Sequence, residues 1–384
     1  PEIDHLVLGE GETNLPLFLD DLKKGTEKHL YPPRGWANLS KTPPPLWTLS
    51  NLKAYASTNI QYSRGCPYNC EFCDIPLLYG RVPRTKEPEQ VIRELEALKN
   101  LGWRGGVFFV DDNFIGNKKK LKREVLPALI RWMEENKYPF SFYTEASINL
   151  ADDEELMQMM VDAGFNRVFV GIETPNEESL EECQKYANMR RNLIESVKRI
   201  QEFGMQVQGG FIVGFDNDPP SIFEKQVNFI KESRIVTAMV GLLNAPKGTR
   251  LYQRLKKENR IKGEISGDNT DFSTNIIPKM DYKSLLNGYK KILRSLYSPR
   301  EYYKRVKDFL REYKYPKKKL RYIRFDYIGA FLKSIWFLGI KEKERIYYWK
   351  LFFWTLFRRP SLLPMAISFI IYGYHFRKIF EKHW

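Results

Sequence analysis

The sequence predicts an α/β fold: a partial (β/α)6 TIM-like barrel, preceded by the end of another α/β unit and followed by a mainly helical C-terminal extension. Three observations carry this. Apolar, β-rich runs alternate with amphipathic helical stretches between residues 55 and 245. The runs recur at intervals of roughly 25 to 40 residues, the room a crossover helix takes between parallel strands. From about residue 282 onward the pattern turns helical, basic and aromatic.

In chain order, the opening residues 1–30 read as a last strand and helix of an α/β unit, and the Pro-rich stretch within residues 31–54 reads as a linker. The chain starts at Pro1 rather than Met, on a run that reads as a strand already ending, so a preceding part of the protein is expected. Six strands are expected at 58–62, 106–111, 141–145, 167–172, 207–213 and 236–243. Between them helices are expected at 88–100, 118–136, 152–163, 190–203 and 219–232; the third opens on acidic residues, which suit a helix N-terminus. Residues 246–384 form the extension. It is loop-rich to about 281, then helical at 284–297, 325–340, 345–357 and 361–380.

With 384 residues, 43% of them apolar and 14% aromatic, the chain buries a large core and is not disordered. Only four cysteines occur, and three fall within eight residues, the opposite of a dispersed disulfide framework. A reducing, cytoplasmic compartment is expected, and no signal peptide is readable. The formal charge of +15 is uneven: from Arg300 onward stand 21 Lys and Arg against 7 Asp and Glu, which leaves the body nearly neutral. A neutral body with a basic aromatic tail points to a tail that meets an anionic surface; a solvated helical face is the plainer alternative.

The chemistry is expected in Arg64-Gly-Cys66-Pro-Tyr-Asn-Cys70-Glu-Phe72-Cys73, directly after the first barrel strand. Three thiolates on one short loop can ligate three irons of a cubane cluster and leave the fourth open to bind a ligand. A structural zinc site asks for four closed ligands. No His lies near the triplet, and Cys183 stands far along the chain in an acidic helical stretch, as a bystander.

The Cys-x3-Cys-x-Phe-Cys spacing after a first strand resembles the signature of the radical S-adenosylmethionine (SAM) superfamily. The resemblance implies that Cys66, Cys70 and Cys73 hold a [4Fe-4S] cluster, that SAM chelates the open iron, and that reduction releases a 5′-deoxyadenosyl radical. Phe72 matches the aromatic position beside the adenine. Asp111, Asp112 and Asn113, at the end of the second strand, are candidates for the SAM ammonium, with helix capping as their structural alternative. Glu145 and Glu173 close the third and fourth strands and face the barrel mouth, where carboxylates can accept from ribose hydroxyls or the SAM amine. Gly214 lies on a strand resembling the family's glycine-bearing strand, where a ligand approaches the backbone.

The run Pro246-Lys-Gly248-Thr249-Arg-Leu-Tyr252 is similar to a stretch of cobalamin-associated radical SAM proteins. Gly9, Glu10, Gly11 and Glu12 look like the end of the Rossmann-like cobalamin-binding domain of that subgroup. Residues 268–280 and the Tyr-rich run from Tyr297 resemble the extension of hopanoid methylase-like members. What this implies is a methyl transfer to a hydrophobic or lipid substrate, with cobalamin and a reductant such as flavodoxin or ferredoxin; oxidative radical chemistry without methyl transfer and a non-catalytic iron-sulfur scaffold are the alternatives.

The segment 358–378 carries a short apolar run between cations and is broken by Pro364. It is too short to span a bilayer comfortably, which takes about 20 apolar residues, so an interfacial segment is expected, with a helical cap on the barrel as the alternative. The enzyme would then be peripheral on the cytoplasmic face of a membrane. Nucleic acid is an unfavoured partner, because the apolar clusters at 352–357 and 361–374 exceed what a phosphate-tracking groove requires.

Overall fold

A computed structural model of the chain describes residues 3–267, 271–314 and 325–382. Ten strands follow in order: β1 Leu6–Val7, β2 Leu30–Tyr31, β3 Ser57–Ile60, β4 Ser63–Arg64, β5 Arg84–Thr85, β6 Gly105–Phe109, β7 Phe140–Glu145, β8 Phe165–Glu173, β9 Gln206–Val213 and β10 Ala238–Leu242. Six of them form one sheet in the order β3-β6-β7-β8-β9-β10, every pair parallel. Neighbours in the sheet are thus neighbours in the chain, and β3 and β10 stay unjoined. This is the open, partial barrel that the alternation predicts.

Side chains alternate across the sheet because the strand period is two. On one face Val107, Phe109, Phe142, Val168, Val170 and Val207 are fully buried, in one cluster with Leu95, Leu129, Met160 and Val197 from the flanking helices. The other face is concave and half-exposed. There Phe108 stacks on Tyr143 with ring centroids 4.7 Å apart, and the Arg167 guanidinium lies 4.4 Å over the Tyr143 ring.

The helices fall where expected, at Pro88–Asn100, Glu154–Ala163, Leu193–Glu202 and Ile222–Glu232. The stretch expected as one helix over 118–136 runs from Lys118 to Glu135 and widens into a π turn at Leu121–Val125. Near the N-terminus, β1 and β2 pair in parallel across the helix Gly11–Lys24. That helix turns Leu15, Leu19 and Leu22 outward, a stripe at i, i+4, i+7.

Two expectations need correcting. The loop-rich stretch after the barrel contains a helix, Arg250–Lys257, whose Thr249 cap accepts from Tyr252 N at 3.1 Å. The apolar segment expected at an interface is the helix Leu363–Glu381, and it is packed: Ala366, Ile367, Phe369, Ile370 and Phe380 are buried, and Tyr302 donates to Phe369 O at 2.7 Å. It is the helical cap. Residues 268–270 of the extension motif lie outside the described residues.

The extension closes the β10 edge. Tyr289 and Tyr297, on the helix Tyr282–Tyr297, donate to the carbonyls of Val240 and Ala238 at 3.0 and 2.6 Å. Arg305, on Pro299–Glu312, donates to Val236 O at 3.3 Å. Side-chain donors thereby satisfy an edge that would otherwise be open to another strand.

Candidate functional site

The three cysteines lie on the loop between β4 and β5, which pair antiparallel as Ser63↔Thr85 and Arg64↔Arg84 and so pinch the loop at its base. Gly65 opens it at φ 97°, and a Cβ there would sit 2.9 Å from Gly80 O and 3.1 Å from Tyr79 O. Any side chain would push the loop apart. Cys66 N donates to Gly80 O at 3.3 Å and Cys73 N to Cys70 O at 3.2 Å.

The base is bolted on both sides. Arg64 reaches Glu12 at 2.6 Å and Arg84 reaches Glu10 at 2.5 Å, while Ala37 N donates to Glu10 at 2.5 Å. Glu10, just after Gly9 at φ 86°, and Glu12, in the first turn of the helix Gly11–Lys24, therefore join the N-terminal unit to the cysteine loop. On the far side Arg254 grips Glu71 through two nitrogens at 2.8 and 3.0 Å and also meets Asp216 at 3.1 Å. Leu251 N donates to Glu71 O at 3.0 Å.

Asp111 is buried and accepts from Tyr62 N at 3.1 Å, from Ser63 Oγ at 2.6 Å and from Ser63 N. Burial pushes its carboxyl up to about 7 in spite of these bonds. Asp112 accepts from Gly65 N at 2.9 Å. Asn113 places Nδ2 3.9 Å from Cys66 Sγ and 3.2 Å from Ser147 Oγ, while its Oδ1 accepts from Ser147 N at 3.2 Å. All three thus grip the entry to the cysteine loop, and Asn113 also offers a donor to a sulfur.

Glu145 ends β7, and its carboxyl makes no hydrogen bond among the described residues. Burial, with Asp112 nearby, pushes its carboxyl up to about 7, and Lys185 pulls the other way. Glu173, at φ 63°, turns back to meet Lys185 Nζ with Oε1 at 2.7 Å and leaves Oε2 without a hydrogen bond among the described residues. A Cβ at Gly171 would collide with Glu173 and lie 2.9 Å from Lys185 Nζ, so this glycine gives the pair its room. Although burial works against its charge, Glu173 and Cys70 hold the Lys185 ammonium protonated.

Burial raises the Cys66 and Cys70 thiols and pushes Cys73 up to about 12, and Lys185 opposes the rise at all three. Binding iron would displace those protons. Among the described residues no three His, Cys, Asp or Glu converge on a single ion. A cubane does not need them to, since each thiolate takes a different iron. Three free thiols on one pinched loop, a side-chain amide beside one sulfur and a buried cation near all three fit such a cluster.

Phe72 lies beside Phe215, with centroids 6.3 Å apart, in a small apolar cluster that also holds Cys183. Cys183, far off in sequence, is folded against the cysteine loop through its carbonyl, which accepts from Glu71 N at 2.9 Å. Its thiol faces Leu180 O at 3.6 Å. Gly214, at φ 107°, donates its N–H to Asp218 at 2.8 Å. Burial pushes Asp218 up to about 6. Sequence reasoning missed Lys185, Ser147 and Arg254. For Arg254 the signal was Thr249 as a cap before Leu251 and Leu255; for Lys185 there was none.

Residues 60–230 match the Radical SAM superfamily, and residues 249–384 match a domain of unknown function (DUF4070). Over 376 residues the chain is 41% identical to an uncharacterized methyltransferase of Synechocystis sp., a match covering 97% of this chain and 70% of that protein. It is 33% identical over 390 residues to the hopanoid C-2 methylase of Rhodopseudomonas palustris, covering 97% of this chain and 73% of that one. Among solved structures, the cobalamin-dependent SAM radical enzyme OxsB, with aqua-cobalamin bound, superposes with a TM-score of 0.56 at 15% identity. That match covers 98% of this chain and 63% of OxsB, so it speaks to the fold, and the chain spans less than two thirds of that structure. Identity of this extent along nearly the whole length, on a partial barrel with a three-cysteine loop at its strand ends, makes the chain a member of the radical SAM superfamily, enzymes that work with S-adenosylmethionine and a [4Fe-4S] cluster.

Proposed function

We propose that the chain is the catalytic part of a cobalamin-dependent radical SAM methylase that transfers a methyl group to an unactivated carbon of a hydrophobic, hopanoid-like lipid. The observation that carries this reading is the concave face of the sheet. Beneath the carboxylates at the strand ends lie Phe108, Tyr143, Phe169 and a half-exposed Met239; Gly210 makes room for the Phe169 ring, and Gly241 leaves open space. A floor so rich in aromatic and small residues suits a largely apolar substrate, and an unactivated C–H bond has no acidic proton for the Tyr143 phenol or any other side chain there to take.

A [4Fe-4S] cluster held there would supply the one-electron reducing chemistry that cleaves SAM and makes an unactivated carbon reactive. This chain's residues set the stage. Cys66, Cys70 and Cys73 would ligate the cluster, and Asp111, Asp112 and Asn113 fix the loop that presents it. The unpaired carboxylate of Glu145 and the free oxygen of Glu173 would accept from the ammonium and ribose hydroxyls of SAM. Phe72 and Gly214 would border the adenine. A flavodoxin or ferredoxin would deliver the electron.

In this reading residues 1–30 end a Rossmann-like cobalamin-binding domain, 31–54 link it to the barrel of 55–245, and 246–384 form the extension. The outward stripe of Leu15, Leu19 and Leu22 supports the first assignment, because a helix on a larger sheet would cover it. Gly9, Glu10, Gly11 and Glu12 would stand where that domain meets the cysteine loop, near the cobalamin. The relatives named as methyltransferases, one acting on hopanoids, support the reaction. No helix among the described residues is long and apolar enough to cross a membrane. The basic extension would bring the enzyme, cytoplasmic in this reading, to a lipid substrate at a bilayer surface.

The test is turnover with methyl-labelled SAM, cobalamin and a membrane-lipid extract. Labelled lipid together with S-adenosylhomocysteine is expected. Deoxyadenosine formed without either would leave a radical SAM enzyme of a non-methylating kind and reject the methylase reading.

A further inference from the structure

The extension has two faces of opposite character. Inward, Tyr348, Leu351 and Thr355 are buried where the helix Arg345–Arg358 packs on Pro299–Glu312 and Leu363–Glu381, and Leu338 is buried on the segment beside it. Outward, the continuous element Phe325–Lys341 and the helix Arg345–Arg358 are apolar again. Leu332, Trp336 and Ile340 repeat at every fourth residue along the first, and Ile346, Phe353 and Phe357 line the second, each at least 47% exposed. The two stripes are side by side: Trp349 Nε1 donates to Gly339 O at 2.8 Å, and Trp349, Phe353 and Phe357 stack in succession. Helices apolar on every side belong in a core or against lipid.

Charge identifies the occupant. Between residues 328 and 358 stand six Lys and Arg and two Glu. Both carboxylates are turned toward the helix Leu363–Glu381: Glu344 to Arg377 at 3.3 Å, Glu342 to Lys378 at 4.0 Å. The outward charges that remain are cations. The Lys341 ammonium lies over two aromatic rings, 5.3 Å from Trp336 and 5.4 Å from Phe337, so the cation is carried on the exposed apolar stripe itself. Just before this element the chain carries Lys317, Lys318, Lys319, Arg321 and Arg324. Protein interfaces deplete lysine at their centres, whereas bilayer interfaces take Trp at the boundary and Lys at the headgroups. Among the described residues the N-terminal unit is held elsewhere: Glu10 and Glu12 bolt it to β4 and β5, whereas the helices bearing this face pack on Pro299–Glu312 and Leu363–Glu381.

We propose that this face docks the enzyme on an anionic bilayer surface, with Trp336, Phe337 and Phe357 at the acyl boundary and Lys333, Lys341 and Lys350 among the headgroups. The surface differs from the apolar segment that hydropathy singles out, which is packed inside. The proposal extends the lipid-substrate reading. Its test runs without SAM or reductant, so it can fail while methyl transfer stands.

The full chain is sedimented with phosphatidylcholine vesicles with and without phosphatidylglycerol, at low and high salt. Binding is expected only with phosphatidylglycerol, and weaker in high salt. Trp336→Ser with Phe337→Ser, and separately Lys341→Glu with Lys350→Glu, should each weaken it about tenfold or more while the thermal transition stays in place. Leu46→Ser with Leu49→Ser, exposed residues before the barrel, should leave binding unchanged. Equal binding to both vesicle types, or loss caused equally by the Leu46 and Leu49 changes, overturns the proposal. So does a dimer in solution that the Trp336 and Phe337 changes dissociate, since the face would then join two copies of the chain.

Discussion

The cysteine loop and the C-terminal extension are held by different forces. Around residues 65–83 the fixing contacts are charged or polar: Arg64 and Arg84 on Glu12 and Glu10, Arg254 on Glu71, and Asp111 and Asp112 on backbone amides. In the extension they are aromatic: Tyr297 stacks on Tyr302 at 5.7 Å, and Phe309 meets Phe369 edge-on at 5.6 Å. A loop at the open end of a barrel has little apolar surface to rest on, so its reactive groups are aimed by charge-assisted hydrogen bonds, which are directional. The extension needs bulk rather than aim. The difference predicts that damage to the first region shows in the cluster and damage to the second in stability.

The largest expected effect on stability lies in the extension. Tyr302→Ala removes a buried ring and its bond to Phe369 O and should cost about 3–5 kcal/mol by urea unfolding. Iron bound per folded chain should not change; a fall in it would erase the distinction between the regions. Smaller in stability but larger at the site is Arg254→Met. It should cost about 1–3 kcal/mol and leave Glu71 unpaired beside Cys70, with reconstituted iron dropping measurably. Full iron content in that variant would show that the loop aims itself.

The smallest effect is one of pH. Glu145 titrates near 7 in the folded chain against an ordinary 4.5, so the folded state holds the extra proton. Its contribution to stability is full below about pH 4.5 and is lost as pH rises through 7. Glu145→Gln should flatten that part of the stability profile by an amount on the order of 1–2 kcal/mol, read as the difference between variant and parent unfolding at pH 5 and 8. Identical profiles would mean that the carboxyl is better solvated than its burial implies.

Much of this was legible in the residues. The β-rich runs marked all six barrel strands because period-two and period-3.6 patterns differ plainly, and the cysteine spacing located the site. Less legible were partners supplied from afar. Lys185 belongs to the site because the helix Glu177–Glu182 after β8 returns the chain over Gly171, and no local pattern encodes that. The helix Arg250–Lys257 shows only Leu251 and Leu255 as its apolar face, too thin a stripe to stand out from a loop. Residues 363–381 misled for another reason. Hydropathy registers apolar surface but cannot say whether it meets lipid or Tyr302, so the packed helix and the exposed face at 328–357 traded places.

The claim beneath all of this is that Cys66, Cys70 and Cys73 hold a cluster that cleaves SAM. Anaerobic reconstitution with iron and sulfide, followed by iron counting and a deoxyadenosine assay, tests it directly. The expected result is about four irons per chain and deoxyadenosine formed from SAM, both lost in Cys70→Ala. A stoichiometric zinc ion with SAM left intact would contradict it.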